Sequence, residues 1–235
     1  MKMNENLVSK NMNDIFPILA IETSDSICGV CVYFNEEKYF SSKLVLKHSH
    51  AEKLFELINS VLKSASITQS DLKSISVSSG PGSFTGLRIG LSAAKGIAQA
   101  LLIPIIIVPT FEALAYQISN ILPEKSLFII ANKVGRDELY FAKFQIIGNN
   151  YIFKAGLKIV PLLEYDSLVE DYLVFGNVIQ SSTEKNIEIK NLSSPDPEYV
   201  AKWAANYGSE KLITDFDFLE PNYMKEFIVK EKKHA

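Results

Sequence analysis

The chain has 235 residues, 47% of them hydrophobic and 22% charged, and a formal net charge of −3. That length buries a sizeable core, as one large domain or two small lobes, and the composition is that of an ordinary globular protein. A charge so near zero excludes a global electrostatic drive toward nucleic acid or anionic lipid, and no apolar run reaches the length of a membrane span.

Residues 1–14 are polar, with five Asn or Asp and no hydrophobic signal core, so a disordered terminus and a cytoplasmic chain are expected. Phe16 to Thr23 reads as a buried strand. A turn at Ser24-Asp25-Ser26 leads to a second strand, Ile27 to Phe34, and Asn35-Glu36-Glu37 turns into a third, Lys38 to Leu46. Cys28 and Cys31 have C-x-x-C spacing, but strand residues three apart face opposite ways, so they read as core cysteines rather than a shared metal or redox pair. Ser49 and Glu52 form a capping box for a helix with Leu54, Leu57, Ile58, Val61, Leu62 and Ala65 on one face.

Ser74 to Ser79 reads as a short strand, and Gly80-Pro81-Gly82-Ser83-Phe84-Thr85-Gly86 turns it into a helix that runs from about Gly86 to Leu102. The glycines admit positive φ or close neighbours, and Ser83 or Thr85 can cap the free N–H groups of the helix. Such an end attracts anions. The spacing is nevertheless neither G-x-G-x-x-G nor the Walker pattern. Pro104 and Pro109 bracket the apolar strand Ile105 to Val108, and Thr110 caps a helix to about Ile121.

The pattern then restarts, with strands over Leu127 to Ala131, Glu138 to Ile147, Tyr151 to Ile159 and Tyr172 to Gly176, and a short helix over Leu162 to Glu170. Helix Pro197 to Gly208 and a segment from Leu212 complete the chain. The opening of the second half resembles that of the first without a residue-level repeat. A first lobe over 15–110, a second over 111–211, and a terminal segment, 212–235, packed on the first lobe are expected.

The string from Gly80 to Gly90 closely resembles the GPGSFTGLRIG signature of the TsaB (YeaZ) family. Ile18-Leu19-Ala20-Ile21-Glu22-Thr23-Ser24 is similar to that family's opening ILAIDTS, and the resemblance extends from Ile18 to about Ala115. Gly135-Arg136-Asp137-Glu138-Leu139-Tyr140-Phe141-Ala142 and Pro221-Asn222-Tyr223-Met224-Lys225 resemble the family's two later motifs. Glu22 stands where the family usually has Asp, and so does Lys133. The resemblance implies an α/β fold of two ribonuclease-H-like lobes, each a mixed sheet flanked by helices, within the actin and Hsp70 (ASKHA) superfamily.

Two readings of the first turn stand. By resemblance to actin-like folds, Glu22, Thr23, Gly80, Gly82 and Ser83 form a weak candidate site for Mg²⁺ and nucleotide phosphates; otherwise Thr23, Ser24 and Asp25 form a side-chain-bonded turn. Metal chemistry has little support. The only histidines are His48, His50 and His234, whereas the related TsaD carries a His-x-x-x-His pair. Nor is there a G-x-S-x-G elbow for hydrolysis.

The helix after the glycines carries Arg88, Ser92, Lys95 and Gln99 on a polar stripe, with small residues over much of the rest. Either it is buried in its own lobe, or Arg88, Gly90, Leu91, Ala93, Ala94 and Ile97 meet a partner; the resemblance implies pairing with itself or with TsaD. The tail Lys225, Lys230, Lys232 and Lys233, with Phe227 between, is a solvated end or a contact for RNA phosphates.

The resemblance therefore implies a non-catalytic subunit, without a cofactor of its own, that binds TsaD and supports N6-threonylcarbamoyladenosine (t6A) formation at position 37 of tRNAs reading ANN codons. Another protein makes threonylcarbamoyl-adenylate from Thr, bicarbonate and ATP, and TsaD transfers the group. A TsaE-like ATPase belongs to the same complex, and ATP or ADP and metal sit on the partner subunits. The chain alone is expected to form a homodimer, to touch tRNA only within the complex and to bind no membrane. The competing reading is an enzyme: an actin-fold ATPase or phosphotransferase, or a glycoprotease-like (M22) peptidase.

Overall fold

Five consecutive buried residues, Ile18–Glu22, form β1 at the centre of a six-stranded sheet. An apolar run of this kind needs cover on both faces, and it has it. The structure is a computed structural model that describes residues 15–45, 50–169, 172–178, 188–190, 192–208 and 210–224. The predicted disordered terminus, Ser49 of the capping box, His48, His234 and the lysine-rich tail lie outside the described residues, as does the side chain of His50.

In the first sheet β1, β2 (Ile27–Asn35) and β3 (Lys38–Val45) form an antiparallel meander, with Ile18 opposite Tyr33 and Glu22 opposite Gly29. On its other side β1 runs parallel to β4 (Ser74–Gly80), which runs parallel to β5 (Ile105–Pro109); β11 (Leu212–Ile213) joins β5 antiparallel at the edge. The second sheet repeats this plan. There β6 (Leu127–Val134), β7 (Glu138–Ile147) and β8 (Asn150–Pro161) make the meander, and β9 (Leu173–Gly176) and β10 (Glu188–Lys190) add in parallel. Reading each sheet from the meander edge gives β3-β2-β1-β4-β5 and β8-β7-β6-β9-β10, the same order twice.

Helices α1 (His50–Ala65) and α2 (Phe84–Leu101) cover one face of the first sheet, where Leu54, Ile58 and Ala94 meet Leu19, Ile21 and Val30. Helix α5 (Pro197–Tyr207) covers the other face, placing Val200, Ala201, Trp203 and Ala204 against Ile18, Ala20 and Tyr33. Helix α3 (Thr110–Ser119) links the lobes: Ala113 joins the α5 cluster, while Phe111, Leu114 and Ile118 pack with Phe128, Ile130 and Phe144 of the second sheet. The short α4 (Tyr165–Val169) follows a 3₁₀ turn at Leu162–Glu164 and closes the far face of that sheet.

The placement of α5 corrects the sequence partition, which assigns all of 111–211 to the second lobe. The outer face of β1 and β2 is apolar and needs cover, and Gly29 opens the way: a Cβ there would sit 3.0 Å from Cγ of Pro197. No helix among the described residues is long and apolar enough to cross a membrane.

Cys28 and Cys31 occupy opposite faces of β2, the first in the α1/α2 core and the second in the α5 core. Burial pushes the Cys28 thiol up to about 11, helped by the neighbouring Glu22 charge, and raises Cys31 further still. Since the thiolate is the nucleophile, both should react slowly with a disulfide reagent at mildly alkaline pH in the native protein and fully after denaturation. Rapid modification of either thiol in the folded chain would contradict this placement.

Candidate functional site

Glu22 closes β1 entirely out of solvent. The backbone N–H and the hydroxyl of Ser24 donate to its Oε1 at 2.6 and 2.5 Å, and the Ser78 hydroxyl at the end of β4 donates to its Oε2. Burial pushes the carboxyl from its ordinary 4.5 up to about 7, against the pull of these three bonds, and the nearby Asp25 adds a small push in the same direction. A side-chain-bonded turn is present, but it is made by Glu22 and Ser24: of the other residues read into it, Thr23 bonds the Gly86 carbonyl and Asp25 accepts from the Ser193 hydroxyl.

The same turn fills the start of α2. Ser83 N–H donates to the Ser24 carbonyl at 2.6 Å, Gly86 N–H to the Ser83 hydroxyl at 3.3 Å, and the Thr23 hydroxyl to the Gly86 carbonyl at 2.8 Å. The glycines permit this approach. A Cβ would lie 2.3 Å from the Ser24 carbonyl oxygen at Gly82, 2.0 Å from the Thr23 carbonyl oxygen at Gly86 and 2.3 Å from the Thr23 hydroxyl at Gly90. A phosphate at a helix start needs free N–H groups, and a metal needs carboxylate lone pairs. Glu22, Thr23, Gly80, Gly82 and Ser83 lie close together, and hydrogen bonds tie them to Ser24, Ser78, Gly86 and Thr110 of the chain itself, making a packed joint.

A strap from the end of the chain lies over this joint. Phe216 is buried in the first core and Leu219 packs against it; Lys95 Nζ donates to the Asp217 carbonyl at 3.0 Å. Asn222 N–H then donates to the Ser79 carbonyl at 2.7 Å. Gly80, at φ +114°, has no room for a side chain, since a Cβ would meet the Asn222 carbonyl oxygen at 2.6 Å. Tyr223 comes next. Its ring centre lies 4.9 Å from that of Phe84, its hydroxyl accepts from Arg88 Nε at 2.9 Å, and its carbonyl accepts from the Tyr140 hydroxyl of the second sheet at 3.1 Å. Two stretches that resemble separate motifs in sequence are therefore in contact.

Between α1 and α2 runs an open, mostly apolar groove of about 420 Å³, lined by Ala51, Leu54, Phe55, Arg88, Ile89, Ser92 and Ala93. Phe55 is 52% exposed on its wall, and the Arg88 guanidinium stacks 3.8 Å over the Phe84 ring at its rim. Of the predicted partner face, only Arg88 and Ala93 line the groove. Leu91, Ala93, Ala94 and Ile97 all belong to the chain's own core, Ala93 at its edge beside the groove, and Gly90 faces Thr23, Ile21 and Val77, because the small side of α2 is the side that approaches the sheet. Phe55 and Ile89 were missed in the sequence. The signal for Phe55 is an aromatic lying outside the apolar stripe of its own helix.

In the second lobe Lys133 is exposed near the end of β6, and its N–H donates to Asn177 Oδ1 at 2.7 Å. Among the described residues no group of three or more His, Cys, Asp or Glu is placed to hold a metal ion.

Residues 44–206 match the sequence model of a family described as "TsaD: tRNA N6-adenosine threonylcarbamoyltransferase". A Buchnera aphidicola (Schizaphis graminum) protein described as "tRNA threonylcarbamoyladenosine biosynthesis protein TsaB" is 34% identical over 158 residues, covering 67% of this chain and 72% of the relative. A second Buchnera aphidicola protein of that description (Baizongia pistaciae) is 28% identical over 78% of this chain and 86% of its own length, and a Bacillus subtilis one is 37% identical over 42% and 43%. The solved structure "YeaZ from Pseudomonas aeruginosa" superposes with a TM-score of 0.73 over 88% of this chain and 98% of that one; at 22% identity this is a likeness of fold. Both the extent of the family match and the degree of identity to a relative covered over most of its length lead to one assignment: the chain belongs to the TsaB (YeaZ) family, within the wider group that the TsaD model describes.

Proposed function

We propose that this chain takes part in t6A biosynthesis as a non-catalytic subunit that docks a TsaD-family partner in the groove between α1 and α2. It would thereby support modification at position 37 of tRNAs reading ANN codons. The observation that carries the non-catalytic half is the closed joint, in which the Glu22 carboxylate and the start of α2 are engaged by Ser24, Ser78 and Ser83. Nucleotide and metal then reside on the partner and on a TsaE-like ATPase, and this chain holds no cofactor. Any tRNA contact is made in the complex, in the cytoplasm.

The docking half rests on the groove. A buried aromatic or aliphatic anchor surrounded by small residues is the usual centre of an interface, and Phe55, Ile89, Ala51 and Ala93 supply that chemistry. The TsaD model covers both α1 and α2 of this chain, so a TsaD-family partner carries the corresponding helices and can lay them into the groove in helix-on-helix packing. A second copy of this chain is the alternative occupant when no TsaD-family chain is present.

Phe55→Asp and Ile89→Asp should each weaken capture of the TsaD-family chain by at least about thirtyfold, the scale of a hot-spot loss. Because Phe55 is half exposed, its variant should melt close to the wild type. Unchanged capture by both variants would refute docking at this groove. Addition of Mg²⁺-ATP to the isolated chain should leave its melting point unmoved, since only a ligand of the folded state stabilises it. A clear upward shift that disappears in Glu22→Gln would instead favour the ATPase reading.

A further inference from the structure

The terminal Pro221-Asn222-Tyr223 stretch has no part in the docking reading as stated, yet it meets the groove at one residue, Arg88. The strap is held before it reaches that point, by Phe216 and Leu219 in the core, by Lys95 on Asp217, by Asn222 on Ser79 and by Tyr140 on the Tyr223 carbonyl. The Tyr223 ring is therefore set on a fixed backbone tied to both lobes. It lies 4.9 Å from Phe84, and its hydroxyl takes the Arg88 Nε–H at 2.9 Å. Arg88 in turn stacks 3.8 Å over Phe84 and 5.7 Å from the Tyr223 ring, while lining the groove.

Resting on the docking reading above, we infer that Tyr223 is a positioning residue for partner binding: it locks the Arg88 guanidinium at the groove rim before a TsaD-family chain arrives. An arginine left free in solvent loses much rotamer freedom when a partner fixes it, and holding it in advance removes that loss from the binding step. The planar guanidinium has five N–H donors in a rigid fork. With Nε–H given to Tyr223, the Nη groups supply the donors that a partner carboxylate or carbonyl takes.

The test is a double-mutant cycle on the full chain, measured as the dissociation constant for the TsaD-family chain of the same organism. Tyr223→Ala should weaken binding about tenfold and Tyr223→Phe, which keeps the ring and loses the hydroxyl, by about threefold, in the range of coupling between contacting residues. In an Arg88→Ala background neither change should weaken binding further. A purely structural role for Tyr223 would give the same loss with and without Arg88, and that additivity would overturn the inference. Should Tyr223→Ala prove unfolded, the Tyr223→Phe arm of the cycle decides on its own. Normal binding by both Tyr223 variants while Phe55→Asp fails to bind overturns this inference and leaves the groove standing; normal binding by Phe55→Asp and Ile89→Asp overturns both.

Discussion

Replacing Gly86 by alanine is expected to destabilise the protein by about 3 kcal/mol, the upper end of the usual cost of an overpacked core position. The added Cβ would lie 2.0 Å from the Thr23 carbonyl oxygen and 3.4 Å from Ser83 Cβ. The first neighbour is backbone, held in place by β1 and by the Thr23 hydroxyl bond to Gly86 itself, so it has nowhere to retreat. An internal control sits ten residues further along the same helix. Gly96 is exposed with nothing within 4 Å of an added Cβ, and Gly96→Ala should stabilise the chain by up to about 1 kcal/mol through helix propensity alone. Urea unfolding of the two variants should therefore move the midpoint in opposite directions. A wild-type midpoint for Gly86→Ala would mean that the turn and α2 do not touch as described.

Glu22 should make stability depend on pH in a direction opposite to that of an ordinary paired carboxylate. Its carboxyl is raised from 4.5 to about 7 in the fold, chiefly by burial, so the folded state binds this proton more tightly than the unfolded chain does. Its contribution is fully present below about pH 4.5 and is lost as pH rises through about 7. The difference amounts to about 3 kcal/mol across that window, at 1.36 kcal/mol per unit. Glu22→Gln keeps the side-chain shape and an acceptor for Ser24 while removing the titration. The stability of the wild type relative to Glu22→Gln should thus fall between about pH 4.5 and pH 8, measured by urea unfolding at several pH values. A constant difference across the range, or one that grows with pH, would show that the carboxylate is ionised and comfortable in the native state.

Strand and helix identity was legible in the chain because it depends on residues close together. The apolar run from Ile18 to Ile21, the period-3.6 stripe of Leu54, Leu57, Ile58 and Val61, and the proline-bracketed Ile105 to Val108 each specify an element without reference to anything distant. The restart at Leu127 was visible for the same reason, and the repeated sheet order follows from two meanders each continued by parallel strands. So was the crowding implied by the closely spaced glycines.

What crowds them was not legible. Thr23 and Gly86 are 63 residues apart, and although the glycine spacing matches no standard nucleotide loop, glycines that admit a close neighbour do not say that the neighbour is the chain's own backbone. The same limit applies to α5, whose apolar stripe announces burial but not against which sheet, and to α2, whose small residues announce close approach but not that the sheet, and not a partner, takes that side. Arg88 and Lys95 read as members of one polar stripe, with Arg88 on the candidate partner face, and in the fold they hold Tyr223 and Asp217 of the strap. Periodicity determines that a face is apolar, polar or small; only the three-dimensional packing of distant segments decides which surface it meets, because many partners satisfy the same local pattern and the tertiary structure selects one.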